Sequence, residues 1–172
     1  SNTVTGTDST VGWDVYGGQG TTEASSNTVD LSNVQVAGSV GGGNTTSGEA
    51  SNNSVSLSNG TTFTGNLYAG YTENGNATGN EISLSDVSAP QYVYASYTSE
   101  GQAGGTVTLS NSSVTNSVYG GFTSDGVADG SKVTGTNSKV GDSVYGGRGT
   151  TGASSNTVDL DNVQVTGSVS GG

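Results

Sequence analysis

The chain has no cysteine, no histidine and no methionine, and only one proline and one tryptophan. Without cysteine there is no disulfide framework, thiolate zinc site or cysteine nucleophile. Without histidine the usual general base and the commonest transition-metal ligand are missing. Positive charge is scarce as well: three Lys and Arg stand against fourteen Asp and Glu, for a net charge of -11. Such a surface repels phosphate backbones and anionic lipid, which argues against nucleic-acid and membrane-surface partners. No apolar run approaches the roughly 18 residues needed to cross a bilayer. Hydrophobic residues make up 28% of the chain, well below an ordinary globular domain, so a fold with one thick core is not expected.

What fills the chain instead is 31 Gly, 28 Ser, 25 Thr and 16 Asn among 172 residues. That composition also suits disorder. Repetition argues otherwise. Ser25 to Val40 reads SSNTVDLSNVQVAGSV, and Ser154 to Val169 reads SSNTVDLDNVQVTGSV, 129 residues later. The offset holds from the first residue, so positions 1–43 are equivalent to 130–172.

A shorter repeat lies inside the long one. A tripeptide V-x-L or V-x-G, once opened by isoleucine, starts at Val4, Val29, Val55, Ile82, Val107, Val133 and Val158, in steps of 25 to 27 residues. A second apolar ladder runs through Val11, Val36, Phe63, Ala89, Val114, Val140 and Val165. A third follows each of these by four residues: Val15, Val40, Leu67, Val93, Val118, Val144 and Val169. Two polar ladders keep the same phase. One is Asp8, Asn33, Asn59, Asp86, Asn111, Asn137 and Asn162; the other is Asn2, Asn27, Asn53, Asn80, Gly105, Ser131 and Asn156. Asn, Asp and Gly tolerate left-handed backbone and bond to their own turns, so both ladders read as corners. Length varies between the Y-G-G segment and the next valine, and near Gly60, which marks those stretches as loops.

The V-x-L element has period two and glycine recurs throughout, so helices are excluded. The expected fold is an all-β parallel β-solenoid, with three short strands per coil of 25–27 residues and about six and a half coils. Each strand pairs with its equivalent one coil away at about 4.8 Å, for an axial length on the order of 30 Å. A single rung buries too few side chains to offset its ordering entropy, so stability is expected to be cooperative along the axis.

The pattern Y-[GA]-[GS]-[YF]-T…G-x-A-x-G-N-x-[VI]-x-L-S-[ND] appears as YAGYTENGNATGNEISLSD from Tyr68 and YASYTSEGQAGGTVTLSN from Tyr94. It resembles repeats in the passenger regions of bacterial autotransporter adhesins. That resemblance implies a right-handed parallel β-helix, exported to the cell surface and displayed as a stalk or fibre. Such proteins carry a signal peptide and a C-terminal membrane barrel that this sequence lacks. The segment is therefore expected to be part of a longer fibre, reaching the membrane only through a flanking region.

Candidate sites are few. Asp30 and Asp159 share a coil position but lie five coils apart, roughly 24 Å at the sheet spacing. That exceeds the about 5–9.5 Å of a catalytic carboxylate pair. Glu23 and Glu49 occupy one position in adjacent coils, where they are either a carboxylate pair or, more often, solvated charges. Asp125 and Asp129 in SDGVADG could contribute oxygens to calcium, but two carboxylates on one loop make a weak site and read more simply as solvated turn residues. No metal or cofactor is expected. Tyrosine is the residue type placed with most regularity. Tyr16, Tyr68, Tyr94, Tyr119 and Tyr145 follow the third ladder with a gap at Gly41, and Tyr71, Tyr97 and Phe122 form a second file three residues on. With the preceding valine inward, strand alternation turns these rings outward, as a strip for sugars or neighbouring fibres, or as aromatic stacking that supports the coil. The expected function is structural, a segment of an extracellular bacterial surface fibre or adhesin. Its partners would be its own continuation, neighbouring fibres, or host and biofilm glycans. The alternative is a glycan-binding or polysaccharide-active β-helix.

Overall fold

The computed structural model describes residues 1–172 as a parallel β-solenoid of about seven coils, built of strands without helix. The reason is visible in the pairing. On the first face Val4 stands opposite Val29, Val29 opposite Val55, and Val55 opposite Ile82. The series continues to Val107, Val133 and Val158 without a slip at the valine. The third ladder is registered the same way, from Val15 through Val40, Leu67, Val93 and Val118 to Val144 and Val169. Between these faces lies a narrow one of two-residue strands such as Ser113–Val114 and Lys139–Val140. Parallel pairing one coil away places like on like, so a period-two strand buries one apolar file per alternate residue.

The interior is a stack of these files. Leu31, Leu57, Leu84 and Leu109 fill the next inward position, two residues after the first-ladder residues, and Ala69 and Ala95 join the same cluster from the third face. Apart from Phe63 the side chains are aliphatic, and most of the 24 residues of the core cluster are almost fully buried. At roughly 1.5–3 kcal/mol per buried aliphatic side chain, the file as a whole, and no single rung, supplies the driving force.

The stretches expected to be loops are largely strand in the middle coils: Val93–Ser110 runs for 18 residues and Val118–Asp129 for 12. Two further inward files explain this. Thr45, Thr72, Thr98 and Thr123 are buried, and so are Ala24, Ala50, Ala77, Ala103 and Ala128. The alternation of Thr and Ala gives the stretch an interior side, and the hydroxyls of Thr45, Thr72 and Thr98 find nearby carbonyls, whereas that of Thr123 is buried without a partner. Thr98 Oγ1 donates to the Glu100 carbonyl at 2.6 Å and lies 2.8 Å from that of Gly75. One register shift occurs, between Gly104 and Gly105.

Candidate functional site

Three sets of ladder residues carry the polar and aromatic chemistry. The first is the corner file. Asp8, Asn33, Asn59, Asp86, Asn111, Asn137 and Asn162 all take positive φ, between 47° and 58°. This is the left-handed bend that turns the first face into the second, and Asn and Asp adopt it at least cost among residues with a Cβ. Some side chains link coil to coil: Asn33 Nδ2 donates to Asp8 Oδ1 at 2.7 Å, and Asn162 Nδ2 to Asn137 Oδ1 at 2.7 Å. Asn59 instead donates to Ser32 Oγ at 2.8 Å. A shallow polar groove of about 700 Å³ runs along this corner, lined in part by Asp86, Asn111, Asn137, Ser113 and Lys139.

The second polar ladder is not a corner. Asn27, Asn53 and Asn80 point inward and are buried. The bend belongs to the residue before each, and Ser26, Asn52, Gly79, Gly130 and Ser155 take the positive φ. Inside, the amides form a chain. Asn27 N and Nδ2 both donate to Asn53 Oδ1, at 2.9 and 3.0 Å, and Asn53 does the same to Asn80. The remaining amide hydrogens go to alanine carbonyls of the preceding coil: Asn53 Nδ2 to Ala24 O, Asn80 Nδ2 to Ala50 O and Asn156 Nδ2 to Ala128 O. Buried amides are tolerable because nearly every donor and acceptor is used. The Y-G-G motif follows from this ladder. A Cβ on Gly43 would lie 2.6 Å from Asn53 Nδ2, and one on Gly18 would lie 2.7 Å from the Asn27 amide carbon, so glycine makes room for the asparagine.

The third set is aromatic. Tyr68 and Tyr94 stack at 5.2 Å between centroids, Tyr94 and Tyr119 at 4.9 Å, and Tyr119 and Tyr145 at 5.0 Å. Tyr71 stacks on Tyr97 at 5.0 Å, and Tyr97 on Phe122 at 5.3 Å. The two files meet edge to face throughout, as between Tyr68 and Tyr71 at 5.3 Å. Arg148 occupies the next position of the second file, with its guanidinium 5.4 Å from the Tyr145 ring and 6.0 Å from Phe122. At the gap, the Tyr16 ring lies over Gly41, where a Cβ would come within 2.5 Å of Tyr16 Cδ1. The rings leave the third face outward but cover one another, and Tyr119 is only 5% exposed. Burial holds the Tyr68 and Tyr94 phenols above the usual tyrosine range, and the neighbouring phenols reinforce this at Tyr94.

The acidic candidates are not drawn together beyond one pair. Glu23 and Glu49 face each other across a parallel bridge, and both are exposed. Trp13, outside both files, is 85% exposed. A set missed in the sequence lies at the corner before the third face. Asp14 Oδ1 accepts from Ser39 N at 2.7 Å, Asn66 Oδ1 from Tyr92 N at 3.3 Å, and Ser117 Oγ from Ser143 N at 3.3 Å. Its signal was weak because Asp, Ser, Asn and Tyr alternate there. No family model, curated protein or solved structure matches the chain.

Proposed function

We propose that this chain is a structural segment of an extracellular bacterial surface fibre or adhesin, a stalk rather than a catalyst. One observation supports the reading above others: the side chains able to make a site are engaged with their own equivalents one coil away. The buried asparagines bond to asparagines and the tyrosines stack on tyrosines. Such contacts extend a rod coil by coil. Immunogold electron microscopy of intact cells of the producing bacterium, with antibody against this segment, tests it. Gold along surface filaments supports the proposal, and labelling confined to lysed cells overturns it.

A glycan-binding reading draws on the polar groove along the Asp86–Asn137 corner, which crosses several coils. A glycan array separates the two. Polysaccharide turnover that disappears in Glu23→Gln or Glu49→Gln would replace the structural reading with an enzymatic one.

A further inference from the structure

The outer aromatic file ends in an arrangement that the stalk function does not require. Tyr71 and Tyr97 are successive members of the file, with ring centroids 5.0 Å apart and planes within 8° of parallel. They are 26 residues apart in sequence and directly opposite in the strand register. The next member on one side is Phe122, which has no phenol. On the other side it is Asn44, so no ring of this file stacks on the far face of Tyr71. The second file therefore contains a single phenol pair, one ring of which lies at the open end of its stack.

From this geometry we infer that Tyr71 and Tyr97 are a site of oxidative cross-linking, coupled as a dityrosine by peroxide and a one-electron oxidising haem peroxidase. Each phenol gives up one electron and its hydroxyl proton. The two resulting radicals join through their ortho carbons, and each ring regains aromaticity by moving its ortho hydrogen to the oxygen. Two electrons and two protons leave in total and reduce one hydrogen peroxide to two waters. The product is a covalent bridge between adjacent coils of the same chain.

The inner file is less suited to the same bond. A carbon–carbon bond between stacked rings requires one of them to swing out of the parallel arrangement. Tyr94 is held between Tyr68 and Tyr119 and touches Tyr97 and Phe122 at its edge. Tyr119 is packed between Tyr94 and Tyr145 and is nearly buried. Tyr71 has the freedom these lack. Edge contacts of Tyr68 with both Tyr71 and Tyr97 give a radical formed in the inner file a short route to the outer pair.

The test uses the intact chain at high dilution, treated with a haem peroxidase and peroxide. The expected product is a monomer lighter by two hydrogens, with dityrosine fluorescence and a raised melting temperature. After unfolding, an endoproteinase that cuts at Glu73 and Glu81 separates the two tyrosines, so a linked peptide pair reports the bond. Tyr71→Phe and Tyr97→Phe keep the stacked rings, and each should abolish the intramolecular product. Persistence of that product in either variant overturns the assignment. So does a product made only of intermolecular dimers, or no coupling while free tyrosine in the same tube is coupled.

Discussion

Ser96 and Gly105 exchange volume. In other coils a glycine makes room for an inward asparagine: Gly70 beside Asn80, and Gly147 beside Asn156. In one coil the glycine position holds Ser96 and the asparagine position holds Gly105. Ser96 Oγ then takes over part of the asparagine's work, accepting from Asn80 Nδ2 at 2.9 Å and donating to the Gly104 carbonyl at 2.9 Å. A Cβ on Gly105 would lie 2.9 Å from Ser96 Oγ and 2.8 Å from Ala95 Cβ. Gly105→Asn should therefore cost about 1–3 kcal/mol by overpacking. Adding Ser96→Gly should recover part of that loss, giving a coupling of about 1 kcal/mol in a double-mutant cycle. Strictly additive losses in urea unfolding would show that the two positions do not compensate.

The corner file gives a sharper backbone test. Asn111 has φ of 47°. Its exposed side chain contributes less than its tolerance of that conformation. Asn111→Val should cost about 1–2 kcal/mol, because a β-branched residue is strained in left-handed backbone. Asn111→Gly should be close to neutral. Equal losses for the two variants in thermal melts would place the effect in the side chain instead.

The three apolar files were legible in the sequence because parallel stacking forces each inward position to repeat at the coil length. Val29, Val55 and Ile82 form a ladder on spacing alone. The two polar ladders were equally visible as ladders, but sequence could not tell a corner from an interior. Asn27 and Asn33 are the same residue type at the same period, one buried and one exposed. What distinguishes them is the neighbour: Asn27 follows the bend at Ser26 and faces the Y-G-G glycines, whereas Asn33 is itself the bend. The Thr–Ala face keeps a regular spacing, as in Thr45/Ala50 and Thr72/Ala77, but its small inward side chains carry little hydrophobic signal. The outward course of the tyrosines could be argued from strand alternation. Their mutual burial depends on where the rings lie, which spacing does not fix.

Val107 tests cooperativity. It is fully buried between Ile82 and Val133 in the register. Val107→Asp places an unpaired charge in the file and should cost several kcal/mol. Amide exchange should rise in the coils on both sides together, since a rung has no independent stability. A variant that melts normally, or that exchanges faster in one coil alone, would contradict that coupling.

The tyrosine files impose an alkaline limit. Folded Tyr68 and Tyr94 hold their protons above the pH at which unfolded tyrosine loses them, through burial first. Raised native values begin to matter only once pH reaches the unfolded tyrosine range near about pH 10, where the unfolded chain gives up its phenol protons and the folded one does not. The sign is therefore unfavourable to folding: the unfolded state binds fewer protons there, so stability falls as pH rises from about 10 towards the folded values. Below that range both states are protonated and the fold keeps its full stability. Absorbance titration should show a fraction of the phenolates appearing only together with loss of the β circular-dichroism signal. Ionisation of all eight tyrosines at about pH 10 with the fold intact would rule out the buried stack.

Ser131 stands in the inward asparagine file but is too short for it. It is buried, 1% exposed, and its hydroxyl has no hydrogen-bond partner. Its backbone N–H is satisfied by Asn156 Oδ1 at 2.8 Å, so the file resumes correctly beyond it. The space for a longer side chain exists, because Gly121 lies alongside and Gly120 precedes it. In the equivalent coils the asparagine amide reaches the alanine carbonyl of the coil before, at 3.0 Å for Asn53 and 2.8 Å for Asn80. For residue 131 that carbonyl belongs to Ala103. Ser131→Asn should therefore add one or two hydrogen bonds to a buried site and remove an orphaned hydroxyl, stabilising the fold by about 1 kcal/mol. Ser131→Ala separates the two contributions. It removes only the unpaired hydroxyl, so its effect should be near neutral or slightly favourable, with the gain over alanine belonging to the amide ladder. A lower melting temperature for Ser131→Asn than for Ser131→Ala would mean that the ladder does not extend through this coil, and that the glycines at 120 and 121 serve backbone approach alone.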